Sequence, residues 1–285
     1  MFKVGYEEIP VKKTQDIIEC QREYANYLSN KDGVELYFRG QTNAEWDIEP
    51  CCMRGKYKDS IEWVYKFKEV SRGTTFFSKI AFYQHYHDDE QGTCFVDFSK
   101  DINVALFFAC SNEEFREKDG ALYIYSYCPH RAEAVETLLL TKLINMTSKE
   151  KMSISEFVEY VYEDKNITNK FDNKKDLESF LSTFLNHGYM VVPNEEDYLI
   201  NLRLKKQQGV FYIPGLECES DETSESRLSS NVGGIIFFPH KYKIPNDLKN
   251  GHFLKKLIID HSIKKEILDM LDRNHDINEK SLFPN

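Results

Sequence analysis

Hydrophobic and polar positions alternate most clearly over residues 34–41, where Val34, Leu36 and Phe38 are separated by polar or amphipathic neighbours. That period predicts a strand with one buried face. The run ends in Arg39-Gly40-Gln41 and is closed by Trp46 five residues later. Glycine at such an end lets the backbone turn sharply and approach a ligand closely. An arginine there keeps its charge, so it must be paired or open to a cleft. Arg39 is therefore either a planar fork for phosphate or carboxylate, or a structural cation beside an acid.

Helical spacing predicts helices over residues 14–30, 59–72 and 74–87, the last ending in Tyr83-Gln84-His85-Tyr86. Residues 42–54 read as an irregular packed loop. A strand over 93–99 carries Asp97 inside an apolar run, and Ser99 or Asp101 can cap the next helix. That helix, around 104–109, is apolar on nearly every side and so is expected to be buried. A strand at 121–127 follows. Helices are predicted over 155–163, 175–186 and 195–207, then strands at 210–213, 234–238 and 253–259, and a helix over 262–271. The end, 277–284, reads as a short docked segment. Residues 217–231 are acidic, serine-rich and poor in large apolar residues, which predicts a mobile surface loop. No internal repeat is visible. The pattern implies an α+β fold, with a central, mainly antiparallel sheet surrounded by helices. One domain is expected over 1–285, with a helical insertion around 150–207.

Composition narrows the function classes. The chain has 285 residues, 41% of them hydrophobic and 14% aromatic, enough for a sizeable core. A net charge of −10 disfavours nonspecific nucleic-acid binding while leaving room for a local basic cleft. No apolar run approaches the ~20 residues of a membrane span. Residues 1–10 carry two glutamates and no apolar core, unlike a signal peptide. The seven cysteines are odd in number and lack a Cys-x-x-Cys pair, which fits a reduced, cytoplasmic protein. Among the histidines only His85 and His87 are close, so no metal site is expected.

Five segments in order carry a family resemblance. Tyr37-Phe38-Arg39-Gly40-Gln41 with Trp46 resembles the motif that names the FRG domain family, and Gln84-His85-Tyr86 is similar to its Gln-His-Tyr/Phe-Gly segment. Val96-Asp97-Phe98-Ser99 with Val104-Ala105-Leu106-Phe107-Phe108-Ala109 resembles its Leu-Asp-Trp-Thr…Ala-Leu-Tyr-Phe-Ala segment. Arg203…Gln207-Gln208-Gly209-Val210-Phe211 and the closing Leu282-Phe283-Pro284 match its last two motifs. The pieces span about residues 14–285. One departure stands out: Gly92-Thr93-Cys94-Phe95 lacks the proline and arginine the family carries before its Leu-Asp-Trp, so any grip by that arginine is missing here. Members of this family look like bacterial or phage proteins.

A fainter likeness is to the ADP-ribosyltransferase fold, whose order of elements Arg39, Ser99 with Phe107 and Phe108, and Gln207-Gln208 follow. The resemblance implies a nucleotide or small-molecule ligand, NAD above all, with NAD cleavage or ADP-ribosyl transfer to a protein target in a toxin or phage-defence setting. It places Arg39, Asp97 and Gln208 in catalytic roles. Tyr37, Arg39, Gln41, Gln84, His85, Ser99 and Phe107 become the ligand-binding set. Each has a plainer reading beside it. Asp97 can be a structural acceptor, His85 a packed ring, Phe107 core, and Gln207-Gln208-Gly209 a helix end with glycine in the left-handed position. A glutamine pair brings no negative charge to an oxocarbenium-like sugar. A non-catalytic binding module of the same fold is the alternative.

Overall fold

Strand alternation builds most of what positions the site. The computed structural model describes residues 7–28, 33–54, 61–70, 72–86, 92–220, 234–243 and 253–284. Among them, eight strands form one sheet: β1 (Glu7–Val11), β2 (Glu35–Gln41), β3 (Val96–Ser99), β4 (Gly120–Tyr127), β5 (His130–Arg131), β7 (Tyr189–Val192), β8 (Gly209–Ile213) and β11 (Phe253–Ile259). Their spatial order is β1-β11-β4-β2-β3-β8-β7-β5. A smaller sheet joins β6 (Met152–Ser153), β10 (Ile235–Tyr242) and β9 (Leu216–Ser220). In the large sheet β1 runs parallel to β11 and β5 to β7, while the pairs between them are antiparallel. The fold is α+β with a mixed, mainly antiparallel sheet.

The helices are α1 (Thr14–Leu28), α2 (Glu62–Lys66), α3 (Phe76–Tyr86), α4 (Ile102–Cys110), α5 (Val135–Ile144), α6 (Ile154–Val161), α7 (Lys165–Thr168), α8 (Lys174–Phe184), α9 (Glu195–Ile200), α10 (Leu202–Lys206), α11 (Lys264–His275) and α12 (Glu279–Leu282). α4 is nearly all apolar and lies on the sheet: Val104, Ala105 and Leu106 pack with Phe38, Leu122, Ile124 and Leu257, and with Ile267 and Leu271 of α11. Across the sheet, Tyr37 joins Val96, Phe98, Tyr125, Val210 and Tyr212 in a second cluster. A third and larger core gathers α3, α5, α6 and α8 around Phe77, Phe95, Phe157 and Phe211.

Four expectations are corrected here. The helix expected over 59–72 is the short α2 followed by a 3-10 turn, Phe67–Glu69, which ends where Val70 becomes extended; residues 59, 60 and 71 lie outside the described residues. The helix expected over 195–207 breaks at Asn201, whose backbone is extended and whose side-chain oxygen accepts from the Leu204 N–H. One residue thus ends α9 and caps α10. Residues 217–220 of the expected acidic loop are strand residues in β9, with Glu219 opposite Ile236. The rest of that loop, 221–231, lies outside the described residues. The stretch 150–207, expected to be a helical insertion, also contributes β7 to the large sheet.

Candidate functional site

The site forms where the sheet splits. β2 pairs with β4 along its whole length, Glu35 to Gln41. With β3 it shares one registered pair, Phe38 opposite Ser99. Past that pair Arg39 bridges the two strands by a side-chain bond, its Nη1 donating to the main-chain oxygen of Asp97 at 2.6 Å. The Nε of the same guanidinium is covered and has no hydrogen-bond partner. Burial, with Arg54 nearby, pulls the Arg39 pKa down to about 10, and the Asp97 charge works against that pull. At neutral pH the group still carries its charge.

Asp97 is held by a network reaching into α3. Its Oδ2 accepts from the Gln84 amide at 3.0 Å, and the Gln84 oxygen accepts from the N–H and hydroxyl of Thr93 at 3.0 and 2.7 Å. Its Oδ1 lies 3.2 Å from His85 Nε2. The other ring nitrogen faces Asn201 Oδ1 at 3.3 Å. The Asn201 amide is oriented by donating to the Ala81 carbonyl and accepting from Leu204. Both imidazole nitrogens therefore face side-chain oxygens. Desolvation pushes the Asp97 carboxyl up, but His85, Arg39 and Gln84 outweigh it and hold the carboxyl below the usual range. The Asp97 side chain remains 44% exposed, so this anion faces open space.

Two cavities meet at Arg39. The larger, about 610 Å³, runs past Gln41, Trp46, Glu49, Arg54, Phe107 and Asn112. The smaller, about 300 Å³, is lined by Gln84, His85, Asp97, Ser99, Arg203 and Gln207. Arg39, Gly40, Phe108 and Phe283 line both. The rim loop after β2 is fixed from below by Lys264, a buried side chain whose Nζ donates to the carbonyls of Thr42 and Phe115 at 2.8 and 3.1 Å. Trp46 rests edge-on against Phe115 with its ring 4.8 Å away and is 42% exposed.

The cleft thus gathers Arg39, Gln41, Gln84, His85, Asp97, Ser99 and Phe107 along its walls. Tyr37 is elsewhere. It is fully buried in the cluster with Tyr125, Val210 and Tyr212, its hydroxyl donating to Glu35, although strand period gives it the same side as Arg39 two residues on. Gln208 is also outside both cavities: it is exposed, and its amide donates to Asp101 at 3.3 Å. It takes the left-handed conformation itself, φ 45°, in place of the expected Gly209. Gly209 instead starts β8, where a Cβ would run into Leu204. Ser99 is a strand-to-helix tie, donating to the Gln207 carbonyl at 2.7 Å and accepting from the Asp101 N–H. Gly40 has a different use from the one expected: α4 lies so close to β2 that a Cβ there would collide with the Ala105 carbonyl and the Ala109 nitrogen.

Residues 34–118 match the family model of the FRG domain. The chain carries an FRG domain. The matched segment of the FRG domain contains Arg39, Gly40, Gln41, Gln84, His85, Asp97, Ser99 and the α4 phenylalanines, whereas Arg203, Gln207 and Phe283 reach the cleft from outside it. No curated protein and no solved structure matches the chain. Asn201 and Arg203 were not among the expected site residues. An asparagine inside a predicted helix is the signal that could have pointed to Asn201, since asparagine favours caps over helix interiors.

Proposed function

We propose that the FRG-domain cleft binds a nucleotide, with NAD as its ligand, and acts on the bond between ribose and nicotinamide. The observation that carries this reading is Arg39. A fixed cation stands at the junction of two cavities with one bond to a main-chain oxygen and its Nε unpartnered. Such a fork suits a phosphate group. The aromatic edge of the larger cavity, with Trp46 and Phe108, suits a flat ring.

Cleavage would break the ribose C1′–N bond, the electron pair leaving with the neutral nicotinamide. Water or a protein nucleophile would form the new bond at C1′, and its proton would pass to solvent. The sugar becomes cationic on the way, and the ionised Asp97 is a carboxylate able to stabilise it, with Asp47, Glu49 and Glu279 on the larger cavity. Such an activity suits the toxin or phage-defence setting that the family resemblance implies. Recognition without turnover is the second reading, favoured by the glutamine pair: Gln208 lies outside the cavities, and the Gln207 amide is tied to the Leu282 carbonyl.

Nicotinamide release from NAD by the full chain, followed chromatographically, tests the proposal. Release that falls by roughly two orders of magnitude in Asp97→Asn supports cleavage, since removing one transition-state charge partner costs a few kcal/mol. Binding of NAD without release would establish the second reading. A chain whose melting temperature does not respond to millimolar NAD would discard both.

A further inference from the structure

We infer that the smaller chamber is a diphosphate seat in which Arg39 and Arg203 each hold one of two linked phosphate groups. The inference rests on the nucleotide reading and adds a second cation from outside the FRG-matched segment. Arg203 enters from α10 and lines the 300 Å³ chamber together with Arg39. Its guanidinium lies over the ring of Tyr86 at 4.7 Å and of Phe283 at 5.7 Å. Its Nη1 donates to the His85 carbonyl, and its main-chain N–H donates to the Tyr86 hydroxyl.

The two arginines share an unusual state. Each gives a guanidinium bond to a main-chain carbonyl, and each has a covered Nε with no hydrogen-bond partner. Among the described residues neither forms an ion pair with a carboxylate. The acid beside them bonds neither arginine through its carboxylate, whose oxygens face Gln84 and His85. Two guanidiniums line one chamber, and the Asp97 charge offsets only part of the cost of burying Arg39. A guanidinium has five N–H donors in one plane, so most of the donors of each arginine remain for a ligand. Stacking on Tyr86 and Phe283 fixes the plane of Arg203 in advance, which lowers the ordering cost of binding. A dianionic, two-centre ligand answers both cations at once. The ring attached to it would then lie in the larger cavity, against Trp46 and Phe108.

Inorganic pyrophosphate, orthophosphate and ADP, titrated calorimetrically into the full chain, test the inference. Pyrophosphate and ADP should bind more tightly than orthophosphate. Arg203→Gln should weaken pyrophosphate by a factor of roughly 10–100, the worth of a charged hydrogen bond. Arg203→Lys should recover part of that loss. Lys206→Gln, which removes an exposed charge from the same helix, should leave it unchanged. Pyrophosphate that fails to bind the wild type overturns the inference, as does pyrophosphate that binds the Arg203 variants like the wild type. If Arg203→Gln does not fold, Arg203→Lys decides alone, with unchanged affinity as the overturning result. NAD turnover that survives in a variant with unchanged pyrophosphate affinity rejects the seat and leaves the NAD reading standing. Pyrophosphate binding that needs both arginines, without nicotinamide release, does the reverse.

Discussion

The two ends of β2 differ in how far their polar groups are satisfied. At the first end, Glu35 meets Lys100 at 2.9 Å and accepts from the Tyr37 hydroxyl at 3.1 Å, and the Tyr37 ring is fully buried. At the far end, Arg39 Nε and Gln41 Oε1 are both covered and unpartnered. Main-chain pairing does not explain the contrast, because β4 accompanies β2 throughout. On the β3 side the one registered pair is Phe38 with Ser99, at the middle of the strand, so the difference lies in the side-chain partners of the two ends. One strand therefore closes a core with its first half and opens a cleft with its second. Unsatisfied polar atoms at the open end mark where a ligand would supply what the protein leaves unmade.

The largest effect is expected at the closed end. Tyr37→Ala removes a fully buried ring from the cluster it shares with Tyr125 and Phe98 and should cost about 3–5 kcal/mol, read from chemical denaturation. A cost below about 1 kcal/mol would mean that this half of the strand is not the anchor. NAD or pyrophosphate affinity, measured on the folded fraction, should be unaffected.

Next comes the link between the halves, Asp97. Asp97→Asn keeps an acceptor for Gln84 but loses the charge facing His85, an expected loss of about 1–2 kcal/mol once the partial exposure of the carboxylate is discounted. The sign of the pH dependence follows from the depressed pKa. Below the ordinary value of 3.8 the unfolded chain takes up the proton first, so the contribution is present above that value and fades as pH falls through the lower folded pKa. The stability gap between wild type and variant should therefore be constant from pH 7 to pH 5 and shrink below pH 4. A gap that widens in acid would contradict the assigned direction.

How much of this was legible in the sequence follows from which residues carry local signals. The strand at 34–41, the strand through Asp97 and the buried helix after it were readable because period and capping are local. The strand β7 was missed although Tyr189-Met190-Val191-Val192 is a short apolar run between Gly188 and Pro193, because a run of four does not separate strand from helix. The strand assignment at 34–41 gives Tyr37 and Arg39 the same side, so period alone does not show that Tyr37 closes a core while Arg39 lines the cleft. Arg39, Gln84, His85 and Asp97 were legible through motif order. Arg203 entered the same motifs without a role, since nothing local shows that α10 would bring it opposite Arg39. The acid beside Arg39 is Asp97, but the bond runs to its main-chain oxygen, so the reading of Arg39 as a structural cation holds without a carboxylate pair.

Arg39→Lys sharpens the open end. Lysine keeps the charge and can still reach the Asp97 carbonyl, but lacks the planar fork. Its effect on stability should stay within about 0.5 kcal/mol, as for substitutions outside the main stabilising features. Its effect on NAD or pyrophosphate affinity should be roughly tenfold or more, as for loss of a bidentate charged contact. Equal loss of stability and affinity would place Arg39 among the structural residues and close the open end of the comparison.

The smallest effect returns to the closed end, at Lys100. Its bond to Glu35 is short, but the two side chains are 32% and 42% exposed, so water and salt screen the pair. Burial pushes the Glu35 carboxyl up, yet the bond and charge of Lys100, with the Tyr37 hydroxyl, leave it below its ordinary value. Lys100→Ala should nonetheless cost only about 0.2–1 kcal/mol, and most of that should vanish at molar salt. Against the cost expected for Tyr37→Ala, this ranks packing above charge as what holds the first half of β2. A salt-insensitive loss of 2 kcal/mol or more in Lys100→Ala would reverse the ranking. The closed end would then be an electrostatic clasp, and the two ends of β2 would differ in which charges are paired, with burial playing the lesser part.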